Sequence, residues 1–142
     1  MFNLNDCVGF ITNKYNKEIT EAFNERVLNH GITRVQWIAL YYIGENEGIT
    51  QKQLAQIVDS KESSIVRLID RMEKEDIVKR EKDCSDRRIT KLYLTEKGVQ
   101  KREEILPIGK KFSDDSTKGI KEEDLEILKS VLNKIVENLK NN

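Results

Sequence analysis

The chain has 142 residues in which 25 Lys and Arg balance 25 Asp and Glu, with 37% apolar and 6% aromatic content; this fits one domain or two small lobes of amphipathic helices and excludes a uniformly basic nucleic-acid coat. No stretch approaches the roughly 18 uncharged apolar residues of a membrane span, and the opening "MFNLNDCVGF" has neither a basic n-region nor a cleavage site, so no membrane partner and a cytoplasmic location are expected. Two cysteines, Cys7 and Cys84, and one histidine, His30, are too few for a disulfide framework or a Cys/His zinc site within one chain, so neither metal nor cofactor is expected.

Apolar residues at Val8, Ile11, Tyr15, Ile19, Phe23 and Val27 recur every three or four positions, which predicts a first helix of about five turns with one apolar stripe. Asn29, His30 and Gly31 end it, with His30 suited to a C-cap. Thr33 to Gln36 has capping-box spacing and opens the apolar run Trp37 to Ile43, predicting a helix buried on most sides. Gly44 to Gly48 reads as a loop and Ile49 as a short strand. Thr50 to Gln53 repeats the capping-box spacing and starts a short helix with Leu54, Ala55 and Val58 inside. Asp59 and Ser60 break that helix, and the next runs to about Lys74 with Ile65, Leu68, Ile69 and Met72 facing inward.

Ile77 to Glu81 and Ile89 to Thr95 are β-prone, the second segment alternating Ile89, Lys91 and Tyr93 against Thr90, Leu92 and Leu94. The polar stretch from Lys82 to Arg88 between them reads as a hairpin tip. Thr95 can cap a fifth helix starting at Glu96, which Pro107 is expected to kink, and Gly119 ends that segment. A last helix from about Lys121 sets Leu125, Leu128, Leu132, Ile135 and Leu139 on a heptad-like seam. Neither terminal helix has an obvious partner in so small a body. They are expected to pack together against a second copy of the chain, with an intramolecular bundle as the alternative.

This order predicts a mainly α fold with a small β wing, a winged helix-turn-helix flanked by N- and C-terminal dimerisation helices. The corresponding segments are 1–31 for the N-terminal dimerisation helix, 32–98 for the winged helix-turn-helix and 99–142 for the C-terminal dimerisation helices. Charge is distributed unevenly along it. From Ile77 to Arg102 nine cations face four acids, and from Ser113 to Ile127 six acids face two cations, so one region suits a polyanion and another does not. A helix-turn-helix thrusts its second helix into the major groove. The outward residues there are Lys61, Ser63, Ser64 and Arg67; Ser and Lys reach phosphate or base, and Arg67 can bond a guanine in bidentate fashion. Taken alone, Lys79, Arg80, Arg87 and Arg88 also fit a solvated hairpin with exchangeable charges.

The chain resembles the MarR family of bacterial transcriptional regulators along nearly its whole length. The resemblance rests on "LAQIVDSKESSIVRLIDRMEKEDIVKR" (Leu54 to Arg80), on Asp86 and Arg88 followed by "LYLTEKG" (Leu92 to Gly98), and on the flanking helices. It implies a homodimer that binds a pseudo-palindromic operator in double-stranded DNA, with Arg88 entering the minor groove and Asp86 fixing the wing tip; Arg87 belongs to the same basic tip. An arginine there is drawn by the negative potential of a narrow A/T-rich groove. The chain departs from the family pattern at Asp59, where Gly is common, at Ser60, where an apolar residue is frequent, at Asp76, where Gly usually follows the second helix, and at Val66, often Thr. Asp tolerates left-handed geometry moderately. Glu62 faces the groove and either reads a cytosine amino group or sits at the helix N-terminus as a cap, the cap being preferred.

The resemblance also implies a sensing function, answering to a small phenolic or aromatic compound or to cysteine oxidation. Tyr15, Trp37 and Tyr41, with Tyr42, are candidates for an aromatic-lined crevice, and equally for ordinary core. Cys7, near the start of the first helix, is the redox candidate, about two residues out of the family's register, and burial as an inert thiol is the plainer reading. Cys84, with acidic neighbours, reads as incidental. A repressor relieved by ligand is the reading adopted, with a redox-sensing regulator or a winged-helix protein-interaction module as alternatives. Catalysis is not expected, because the chain has no phosphate-binding Gly loop and no nucleophile with a recognisable base.

Overall fold

Two capping boxes set the frame of the fold. In the computed structural model, which describes all 142 residues, the Thr33 hydroxyl accepts from the Gln36 N–H at 3.2 Å while the Gln36 side chain accepts from Thr33 N–H at 3.0 Å. Thr50 and Gln53 repeat the exchange at 3.0 Å in both directions. Each satisfies two N–H groups that a helix start leaves free. The elements are α1 (Val8–Leu28), α2 (Arg34–Glu45), β1 (Ile49–Thr50), α3 (Gln51–Ile57), α4 (Glu62–Lys74), β2 (Val78–Lys82), β3 (Thr90–Leu94), α5 (Glu96–Ser116) and α6 (Glu122–Lys140), preceded by a 3-10 turn at Leu4–Asp6.

Three helices close in the same way. Gly31, Asp59 and Asp76 have φ of +81°, +51° and +61°, and the following N–H reaches back five residues, as in Ile32 to Val27, Ser60 to Ala55 and Ile77 to Met72. These are Schellman-type closures, in which a left-handed residue lets the chain satisfy the last carbonyls. At two of them Asp takes the conformation that Gly adopts without strain.

The chain divides into two compact units, residues 1–109 and 110–142. The first is a helical body with a three-stranded antiparallel sheet in the order β1-β3-β2. Val78 pairs with Leu94 and Lys82 with Thr90, while Ile49 pairs with Leu92. The predicted alternation holds in β3, where Thr90, Leu92 and Leu94 are buried. Leu40, Ile43, Leu54, Ile69, Met72, Val78, Leu92 and Ile105 form the centre of the core with Val27, each contributing roughly 1.5–3 kcal/mol by leaving water. Two close approaches hold this body together. Gly98 lies against the Ile77 backbone, and Arg102 crosses Gly44, donating to the Tyr41 carbonyl and pairing with Glu45 at 3.2 Å.

Pro107 does not break α5, which runs as one helix to Ser116. Pro107 and Glu103, whose carbonyl has no N–H donor at position 107, are both on the exposed side, where water can satisfy the freed carbonyl. The second unit comprises the end of α5, a turn at Gly119 with φ of +80°, and α6. Glu122, Glu123 and Asp124 occupy the first turn of α6 and Lys140 the last, which suits the helix dipole at both ends. On its predicted seam Leu125 and Ile135 are half-buried and Leu128, Leu132 and Leu139 exposed. The stripe of α1 is similarly open, with Val8, Tyr15 and Ile19 exposed and only Val27 buried.

Candidate nucleic-acid interface

The α3–turn–α4 segment begins at the Thr50 cap and turns at Asp59. Leu54 and Ala55 are buried on one side, and Ile65, Ile69 and Met72 on the other. That inward set fixes the orientation of α4. Lys61, Ser63, Ser64 and Arg67 all fall on exposed positions, so the structure brings the four predicted readers onto one accessible stretch of helix. Glu62 is the first helical residue, in the turn where a carboxylate favours the dipole, and Lys61 at the N-cap makes no side-chain capping bond. Val66 is half-buried.

The hairpin tip is held by two aspartates. Asp83 Oδ2 accepts from the Ser85 hydroxyl at 2.6 Å and from the backbone N–H of Ser85 and Asp86, while Oδ1 pairs with Lys91 at 3.1 Å. The Ser85 hydroxyl, followed by the Lys91 ammonium, brings the Asp83 carboxyl down to about 2, and Asp83 raises Lys91 in return. Asp86 Oδ1 accepts from both the backbone N–H and Nε of Arg88 at 3.0 Å, and Oδ2 accepts from Nη2 at 3.1 Å. Those bonds, the side-chain one first, lower the Asp86 pKa. The Arg88 side chain is nonetheless 91% exposed. It is a guanidinium held in a fixed orientation and open to an anion. Arg87 beside it is exposed as well.

Charge counting alone groups Arg80 with the tip residues Arg87 and Arg88, and the structure separates them. Arg80 is no exchangeable surface charge. Its side chain is 20% exposed and pairs with Asp70 at 2.7 Å and Glu73 at 3.3 Å, and it donates to Gln51 Oε1 at 2.7 Å and the Val66 carbonyl at 2.9 Å. Lys82 donates to the Thr90 hydroxyl, and Lys79 lies 5.9 Å from the Tyr93 ring. These partners lie far off in sequence, so no local signal announced them. Asp83 could have been found, because an Asp two residues before Ser85 is ordinary turn chemistry.

Trp37 and Tyr41 do come together, their ring centres 5.8 Å apart. Trp37 is 9% exposed, the Arg102 guanidinium lies 5.2 Å from the Tyr41 ring, and Tyr42 stacks edge-on against Tyr41. Tyr15 is exposed on α1 and takes no part in this cluster. A concavity of about 380 Å³ lies elsewhere in the same unit, between α2, α3 and α4. Val35, Ile38, Leu54, Val58 and Leu68 give it apolar walls, and Arg34, Arg67 and Arg71 contribute cations. Arg67 therefore belongs to both the exposed row of α4 and this cavity.

Cys7 is half-buried at the start of α1, its sulfur 3.7 Å from the Asn3 carbonyl, and Cys84 is exposed at the wing. Asn29 is the C-cap of α1, and His30 beside it pairs with α5 instead: Nδ1 lies 3.0 Å from Glu104, and Lys101 donates to the His30 carbonyl and pairs with Glu104. His30, with Lys101 next, lowers the Glu104 pKa. No helix is long and apolar enough to cross a membrane.

Residues 30–89 match a sequence model described as the MarR family. An uncharacterized HTH-type transcriptional regulator from Bacillus subtilis, YybA, is 28% identical over 112 residues, covering 76% of this chain and 72% of that protein. The crystal structure of AbsC, a MarR family transcriptional regulator from Streptomyces coelicolor, superposes with a TM-score of 0.88 at 25% identity, covering 100% of this chain and 98% of AbsC. MepR from S. aureus, solved as a DNA complex, gives a TM-score of 0.86 at 20% identity over 93% of this chain and 98% of MepR, a likeness of fold.

Proposed function

We propose that the chain is a MarR family transcriptional regulator, a homodimeric repressor that binds a pseudo-palindromic operator and is released by a small aromatic acid or phenol. The observation that carries this is the pairing of two reading surfaces in one unit. Lys61, Ser63, Ser64 and Arg67 line the accessible side of α4, and Arg88, clamped by Asp86, projects from the wing with Arg87. Under this reading α4 enters the major groove and Arg88 the adjacent minor groove. A second copy covers the open apolar faces of α1 and α6, with segments 1–31 and 99–142 as the dimerisation regions, since exposed apolar seams of this length mark association surfaces.

For the effector, the concavity beside α4 is favoured over the aromatic cluster of Trp37 and Tyr41, with Tyr15 outside it. Trp37 is already packed as core, whereas the concavity joins apolar walls to three guanidinium groups. An aromatic carboxylate fits such a lining, and it must bind the DNA-incompetent form more tightly to shift the equilibrium. Ligand control is also favoured over oxidation of Cys7, whose thiol donates to the Asn3 carbonyl at 3.7 Å.

The test is selection from a randomised duplex library, followed by fluorescence anisotropy on the enriched and scrambled duplexes across a salt series. An enriched inverted repeat, bound with a steep salt slope and released by benzoate-type acids, supports the proposal. Equal, weak binding to every duplex sinks it.

A further inference from the structure

We infer that Arg80 is a positioning residue for operator reading: its guanidinium fixes α4 against the wing strand β2 and itself touches no DNA. The inference rests on the DNA-reading proposal above.

The bonding of Arg80 is the basis. Nε donates to Gln51 at the start of α3, Nη1 to Asp70 and Glu73, and Nη2 to the carbonyl of Val66. One planar group on β2 thus joins the first residue of α3 to two successive turns of α4. Asp70 and Glu73 supply charge, but the Val66 bond supplies register, because a backbone carbonyl inside a helix moves only when the helix moves. A lysine at this position could still pair with Asp70. It could not also reach Gln51 and Val66, since an ammonium lacks the rigid fork.

The need for such a fixture follows from the two reading surfaces. The residues of α4 and the tip residue Arg88 must meet neighbouring grooves at the same time, and a recognition site has to be held within about 0.5 Å of its working geometry. The hairpin of β2 and β3 is short, and its tip is tied only to itself through Asp83 and Asp86. Its base is where the orientation to α4 is set. Backbone closure through Ile77 N–H to Met72 supplies one tie there, and Arg80 supplies a second, three residues further along the strand. Two separated ties define an angle where one leaves a pivot.

Removing Arg80 would also leave Asp70 and Glu73 uncompensated on α4, and simple repulsion of phosphate could mimic a failure of positioning. The experiment separates the two. Dissociation constants are measured for the duplex that the wild-type chain selects from a randomised library and for a scrambled duplex, across a salt series, below each variant's unfolding transition. Arg80→Met and Arg80→Lys should lower the ratio of selected to scrambled affinity by about tenfold or more while leaving the salt slope on the scrambled duplex unchanged. Arg87→Gln should instead reduce that slope by roughly one for each phosphate that Arg87 neutralises. Combining Arg80→Met with Asp70→Asn and Glu73→Gln removes the repulsion and should not restore the ratio.

Recovery of the ratio in that triple variant, or a shallower slope in Arg80→Met like that of Arg87→Gln, overturns the inference. So does full discrimination in Arg80→Lys, which keeps the ion pair and the fold even if Arg80→Met does not fold. A wild-type chain that prefers no duplex overturns the DNA-reading proposal, and the inference with it.

Discussion

Replacing Gly98 by alanine tests the packing of the wing base against α5. A Cβ on Gly98 would lie inside contact distance of the Ile77 carbonyl oxygen and 2.9 Å from its carbon, whereas carbon atoms pack at roughly 3.5–4.0 Å. The obstacle is backbone, buried at Ile77 to 2% exposure, so it cannot swing aside as a side chain would. Relief requires α5 or β2 to move by about an ångström, which strains the Thr95 N–H to Ile77 carbonyl bond at 3.2 Å and the Gly98 N–H to Thr95 hydroxyl cap at 3.0 Å. Overpacking costs about 1–3 kcal/mol and each weakened bond about 1, while alanine returns about 1 in helix propensity. The net is a destabilisation of roughly 2–4 kcal/mol, or a fall in Tm of roughly 6–15 °C. Gly109→Ala is the control. Its Cβ would sit 3.5 Å from the Trp37 ring, an ordinary contact, so a gain of about 0.5–1 kcal/mol is expected. Urea unfolding with the m-value monitored reads both. An unchanged midpoint and slope for Gly98→Ala would refute the close approach.

Arg88→Ala should weaken operator binding about tenfold or more and lower the salt slope, with the urea midpoint and the sedimentation behaviour unchanged; an unaltered slope would remove Arg88 from the interface. Asp76→Gly should raise stability by about 0.5–1 kcal/mol by relieving the left-handed φ of +61°, while Asp76→Val should lower it; equal stability of all three forms in urea would count against strain at this position. Asp83, held at about 2 against its ordinary 3.8, contributes order to the wing that is complete above 3.8 and is lost as pH falls through about 2. Its carboxyl carbon should therefore titrate near 2 by NMR, with no change between pH 5 and 9, and a midpoint near 3.8 would show the wing turn to be unformed.

Features written in neighbouring residues were legible before the structure. Thr33 and Gln36, like Thr50 and Gln53, announce helix starts because both partners of each exchange lie within one turn. The end of α4 at Lys74 follows from its apolar spacing, and the alternation around Leu92 from the pleat. Long-range chemistry was not legible. Charge counting put Arg80 with Arg87 and Arg88, although its partners lie seven to twenty-nine positions away. His30 was readable as a helix-end residue, but its contact with Glu104 depends on how α5 folds back. Of the three arginines of the concavity, Arg67 and Arg71 share α4 but Arg34 lies on α2, so no spacing links Arg34 to the other two. Pro107 leaves α5 continuous to Ser116, because on the exposed side of a helix the freed carbonyl is left to solvent.

The crossing of Arg102 over Gly44 bears on how this sequence can change over time. Fifty-eight positions separate the two residues, yet any side chain at 44 would occupy the space of Arg102 Nε and Cδ. An alanine at 44 evicts the guanidinium from Tyr41 and Glu45, whereas a shorter residue at 102 makes room for it. Harm from the first substitution is thus conditional on the second, and order matters: position 102 shrinks first, then position 44 is free to grow. Across descendants of this chain the two positions should vary as a pair.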